Sequence, residues 1–139
     1  MAELVDGPIA VERLIAEAAR PDCGAVVLFL GTTRDRHHGR AVVRLEYEAY
    51  RSMALAVLER IEREAAERHA VESCRIVHRL GVVPPAEASV AVVVASVHRS
   101  EAFDATRWAM DQVKSRAPIW KKEHYAGGDA GWVEGARLG

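Results

Sequence analysis

The run from Ala88 to Val97 presents apolar side chains on both faces of an extended chain. Successive strand residues point to opposite faces, so such a segment needs cover on both sides and belongs at the centre of a sheet. It is too short to cross a bilayer. A second continuous apolar run, Ala25 to Gly31, reads as another strand, and Ala41 to Tyr50 alternates apolar and charged residues through Val43, Leu45, Tyr47 and Ala49. The spacing predicts that these last two strands pair. Between them Thr32 to Arg40 forms a polar loop whose tip carries Arg34, Arg36 and Arg40 with Gly39.

Helical periodicity supplies the covering layers. Ala10 to Arg20 places Val11, Leu14, Ile15 and Ala18 on one face, entered through Gly7 and Pro8 and stopped by Pro21. Ser52 is the expected N-cap of a helix reaching about His69, with Leu55, Leu58, Ile61 and Ala65 as its apolar stripe. Ser100 is the expected cap of a third helix, Glu101 to Arg116, burying Ala102, Phe103, Thr106, Ala109, Met110 and Val113, and Pro118 prevents its continuation. Arg75 to Val83 reads as one strand, followed by a turn at Pro84 and Pro85; Ile119 to Tyr125 is extended, Gly127 and Gly128 mark a loop, and Trp132-Val133-Glu134 forms a last short strand. The order specifies an α+β fold: a mainly antiparallel sheet with helices packed on it, plus a small β extension, as a single domain over residues 1–139.

Composition narrows the function. A formal net charge of -1 excludes a general nucleic-acid binder, which carries a basic excess against phosphates. The amino terminus lacks a basic region followed by an apolar segment, so the expectation is a soluble cytoplasmic protein that does not engage a membrane. Cys23 and Cys74 are isolated, and His37, His38, His69, His78, His98 and His124 lack metal-ligand spacing, so neither a disulfide framework nor a metal site is expected.

Sixteen of the nineteen cationic side chains are arginine, and the three lysines, Lys114, Lys121 and Lys122, fall within nine residues. A guanidinium keeps its proton, whereas an ammonium can be pushed into a neutral, nucleophilic form by its surroundings. Lys114 belongs to the last turn of the third helix, and the bend at Pro118 can fold Lys121 back toward it. Arg116, Lys122 and Arg99 are the expected sources of positive charge that lower an amine's proton affinity, while Glu123 holds Lys122 charged. His98 and Arg99 stand between the apolar strand and the third helix, where side chains and helix amides favour an anion such as phosphate. Arg34, leaving the other apolar strand, is expected to close on the same guest.

Several segments together resemble a known family: Phe29-Leu30-Gly31-Thr32-Thr33-Arg34, Leu45-Glu46-Tyr47-Glu48-Ala49-Tyr50, His78-Arg79-Leu80-Gly81, Val97-His98-Arg99-Ser100 with Ala102-Phe103, and Lys114-Ser115-Arg116-Ala117-Pro118-Ile119-Trp120-Lys121-Lys122-Glu123. Their order and spacing resemble the catalytic large subunit of molybdopterin synthase. The resemblance implies an α/β-hammerhead-like fold and a sulfurtransferase that converts cyclic pyranopterin monophosphate to molybdopterin without a metal or other cofactor. It implies a small ubiquitin-like partner whose C-terminal Gly-Gly thiocarboxylate supplies sulfur, and a homodimer of large subunits within a heterotetramer. Carried over by position, Lys114 and Lys121 match catalytic lysines, while Arg34, His98, Arg99, Lys121, Lys122 and Glu123 match substrate-binding positions. Two other classes fit the same cationic residues: a module that senses an anionic metabolite without transforming it, and a scaffold that only docks a ubiquitin-like tail. Both predict that replacing the lysines changes affinity alone.

Overall fold

The computed structural model describes residues 1–132, and the expected Val133 and Glu134 part of the last strand lies outside them. The elements run β1 (Glu3–Val5), α1 (Val11–Ala18), β2 (Ala25–Thr32), β3 (Arg36–His37), β4 (Arg40–Ala49), α2 (Arg51–His69), β5 (Ser73–Arg79), β6 (Gly81–Val83), β7 (Ala88–Ser96), α3 (Arg99–Arg116), β8 (Ile119–Tyr125) and β9 (Ala130–Trp132). The α+β class holds. The strands divide between two sheets, one ordered β1-β5-β7-β2 and the other β3-β4-β8-β9 with β6 added against β4. Among the described residues only β1 against β5 is a parallel pair.

The apolar strand β7 is central in the first sheet, as its two-faced apolarity requires. Its Val92 and Val94 belong to the main core with Leu58, Ile61 and Ile76, Ala105, Ala109 and Val113, under α2 and α3. On the opposite face Ala91 and Val93 pack with Val77 and Leu14 of α1. The helices bury most of the faces that their periodicity marks, but Ile15 of α1 is exposed, and in α3 Phe103 turns outward while Ala105 takes the buried place.

Four local expectations are corrected. Ser52 and Ser100 do not cap: the caps are Tyr50 and His98, neither with a side-chain capping bond, because each helix begins earlier than its serine. β2 does not pair with β4 but with β7, since its apolar residues need the central strand's neighbourhood; β4 pairs instead with β8 and β6. The predicted strand Arg75 to Val83 is two strands in different sheets. Gly81, at φ +82°, lets the chain leave one sheet and join the other there. Finally, the loop between β2 and β4 contains a hairpin: Arg36–His37 pairs with Arg40–Ala41, and His38 and Gly39 at φ +50° and +78° make its two-residue turn.

Candidate active site

Pro118 stops α3, and the chain reverses into β8, which antiparallel pairing lays along β4. In a strand, residues two apart share a face, so Lys121 and Glu123 of β8 look the same way. They look into a cavity of about 310 Å³. Gly31 of β2, Tyr47 of β4 and Ser89 of β7 line it, with Arg34 and Arg36 at its rim. From α3 come Lys114 and, one helical turn earlier, Met110. The bend thus does what the sequence suggests, bringing both lysines to one place.

Lys121 is half-buried, and its amine is shifted below the ordinary lysine range. Burial is the main cause, since losing hydration penalises the ammonium; Glu123 opposes it, and the charges of Arg34 and Lys114 add to it. These cations are not the ones expected. Arg116 is occupied in a fork on Glu64, at 2.8 and 3.1 Å. Lys122 points to the other face of β8 and lies over the Trp132 ring at 5.5 Å.

Glu123 is buried, and both its recorded side-chain hydrogen bonds fall on Oε1: His37 Nδ1 donates at 2.6 Å and Tyr125 OH at 2.7 Å. Burial alone would raise its carboxyl. The Tyr125 and His37 bonds, with the charges of His37 and Lys121, outweigh burial and hold it below the usual carboxylate range. Tyr47 OH donates to Ser89 Oγ, which donates to the Gly31 carbonyl, each at 3.3 Å, so the cavity floor is a short hydroxyl chain.

His98 and Arg99 are not in this cavity. They line a shallow depression with Gly24 and Ser100 at the other end of the first sheet. The reason is strand direction: β2 and β7 are antiparallel, with Thr32 opposite Ala88 and Ala25 opposite Ser96, so residues leaving the two strands depart at opposite ends. Fifteen residues along α3, roughly 22 Å at the helical rise, separate Arg99 from Lys114. A single chain therefore gathers Arg34, Lys114, Lys121 and Glu123 and leaves His98, Arg99 and Lys122 elsewhere.

Arg36, Tyr47, Ser89 and Met110 line the cavity although the sequence did not mark them as site residues. Met110 and Lys114 stand four apart on a helix, and Leu45 and Tyr47 alternate with charged residues, so both signals were present in the spacing. Among the described residues no three His, Cys, Asp or Glu side chains come together to hold a metal, and no helix is long and apolar enough to cross a membrane.

These features define a small α+β protein with a cationic pocket in which one primary amine is disposed to give up its proton. The chain belongs to the MoaE protein family, whose model matches residues 4–116. It is 42% identical over 127 residues to the molybdopterin synthase catalytic subunit of Pyrococcus abyssi, covering 91% of this chain and 85% of the relative. It is 47% identical over 134 residues to the protein of the same name from Drosophila persimilis, covering 95% of this chain but 37% of that longer relative's length. Among solved structures, molybdopterin synthase from Staphylococcus aureus superposes with a TM-score of 0.89 at 36% identity, covering 94% of this chain and 95% of the other.

Proposed function

We propose that this chain catalyses sulfur transfer, converting cyclic pyranopterin monophosphate to molybdopterin with sulfur from the C-terminal Gly-Gly thiocarboxylate of a small ubiquitin-like partner subunit. The observation that carries this reading is the meeting of Lys114 and Lys121 with Arg34 in one cavity, where burial pushes the Lys121 amine toward its neutral form. Relatives named as a catalytic subunit support it, since that name presupposes another subunit.

In this reaction the thiocarboxylate sulfur adds to an oxygen-bearing carbon of the pterin side chain, and the new carbon–sulfur bond is kept as the carbon–oxygen bond breaks and the oxygen leaves as water. Lys121, as the more buried amine, takes and returns the proton during addition and elimination. Lys114 faces the tail carbonyl, stabilises the charge that develops there, and can attack it to form a transient amide as the sulfur leaves. Arg34 holds the cyclic phosphate from within the chain. His98 and Arg99 reach that phosphate from a second copy, in the homodimer that the family resemblance implies. Holding the intermediate matters because two sulfurs must be added to one molecule.

The test is reconstitution. Purified chain, thiocarboxylated partner and precursor should yield a dithiolene product, and Lys121→Ala or Lys114→Ala should each lower turnover by about 100-fold or more while precursor binding changes only a few-fold. Turnover retained in both variants refutes the lysine roles and favours a module that binds without transforming.

A further inference from the structure

One side chain of the β3–β4 hairpin, unused in the proposed chemistry, binds the Glu123 carboxylate of the pocket. His37 is a quarter exposed, and its Nδ1 lies 2.6 Å from Oε1 of Glu123, the carboxylate that shares a strand face with Lys121. Tyr125 OH reaches the same oxygen at 2.7 Å. The hairpin is fastened there independently: Arg40 lies over the Tyr125 ring at 3.9 Å and donates to Asp129 at 3.0 Å, and the Ala126 amide donates to the Ala41 carbonyl. The two-residue turn at His38–Gly39 fixes where His37 emerges.

We propose that His37 is a positioning residue for the pocket: by donating to Glu123 Oε1 it fixes that carboxylate and offsets its negative charge, leaving the Lys121 amine free to act unprotonated. The proposal rests on the sulfur-transfer reading for the use made of that amine, and for the coupling on the His37–Glu123 bond and the strand face and cavity that Glu123 shares with Lys121. The physical argument joins one hydrogen bond, His37 to Glu123, to one through-space charge interaction, Glu123 to Lys121. A carboxylate beside an ammonium stabilises the charged form, and a donor on the carboxylate's other side drains part of that stabilisation. The influence of Glu123 on Lys121 runs in that protonating direction, against Arg34 and Lys114. Other groups facing His37 are the His38 ring, 4.0 Å away on the same hairpin, and from β8 the Tyr125 hydroxyl that shares its acceptor. Arg40 and Asp129 pair with each other nearby and offset each other's charge.

The experiment reads Lys121 itself. Competitive labelling of the folded chain with an amine-reactive anhydride across pH, followed by mass analysis of the peptide carrying Lys121, gives the titration of that one amine. His37→Ala should move it upward by about half to one pH unit. His37→Asn, whose Nδ2 can occupy the place of the ring donor, should return it most of the way. In a Glu123→Gln background the titration should start lower and His37→Ala should no longer move it. An unchanged titration in His37→Ala, or an equal shift with and without Glu123, overturns the proposal; the Glu123→Gln comparison also guards against a general loosening of the hairpin. Turnover is measured on the same proteins. If labelling moves as described while the acid limb of turnover does not, the coupling through His37 stands and the catalytic reading of Lys121 falls.

Discussion

On the proposed mechanism Lys121 is the residue on which the chemistry turns, because it combines partial burial with two cationic neighbours and one carboxylate. Turnover should rise with pH as this amine loses its proton, with a midpoint below the ordinary lysine value of about 10.4. Lys121→Arg separates charge from proton exchange, since guanidinium preserves the cation but does not deprotonate. It should lose turnover by about 100-fold while keeping precursor affinity within about threefold, measured by kcat and by calorimetric titration. A loss of affinity with normal kcat would mean that the charge alone matters. A second single-residue effect lies in the core. His78 is fully buried; its Nδ1 donates to the Arg79 carbonyl at 2.8 Å, its ring stands edge-on to Tyr47, and burial pushes it down to about 4. A folded-state value below the unfolded value near 6.5 means that the unfolded chain takes up the proton first. Stability from this group is complete above about pH 6.5 and is lost as pH falls toward 4. Between pH 7 and 5 that is about 2 kcal/mol. Urea unfolding of the native chain and of His78→Phe should show the substituted chain losing that much less over the interval.

At the scale of elements, the pocket depends on how closely two strands approach. A Cβ added to Gly31 would lie 2.6 Å from Cγ1 of Val90, a buried and χ1-stiff side chain of the central strand. Gly31→Ala should therefore cost about 1 to 3 kcal/mol, by chemical unfolding, and displace the Gly31 carbonyl that anchors Ser89 and Tyr47. No loss of stability would show that β2 shifts freely, and the hydroxyl floor of the pocket with it. The same strands show what a sequence discloses and what it withholds. That Ala88 to Val97 is central was legible, because apolar residues on both faces of a strand need two covered faces. The gathering of the lysines was legible as well, since Pro118 must end the helix and the bend there can fold Lys121 back toward its last turn. Direction and partner were not: β2 could lie against β4 or β7 on apolar pattern alone, and only the register of long-range pairing puts Arg34 and His98 at opposite ends. The break at Gly81 was hidden because β5 and β6 each have strand-like residues and differ only in which sheet they join. The His38–Gly39 turn left a local trace, a residue–glycine pair at the tip of the cationic loop, of the kind that suits two positive φ angles.

For the whole molecule, the separation of the two cationic groups along α3 becomes a statement about assembly. One end of the chain holds Arg34, Lys114 and Lys121; the other holds His98 and Arg99. If a substrate phosphate is gripped by both groups, two chains must lie antiparallel, so that each one's Arg99 end meets the other's lysine end, and the two-fold symmetry of a dimer then makes two equivalent composite pockets. Lys121→Ala damages the pocket of its own chain, whereas Arg99→Ala damages the pocket of its neighbour. In a mixed dimer one pocket thus carries both lesions and the other carries neither. Unfolding and refolding an equal mixture of the two variants should yield wild-type pockets in about a quarter of all sites, since half the dimers are mixed and half of their pockets are intact. Steady-state turnover of the mixture should reach about that fraction of the wild-type rate, above the mean of the two variants assayed separately. If each chain instead completes its own site, refolding together can give no more than that mean, and Arg99 has no part in gripping the phosphate across the pair.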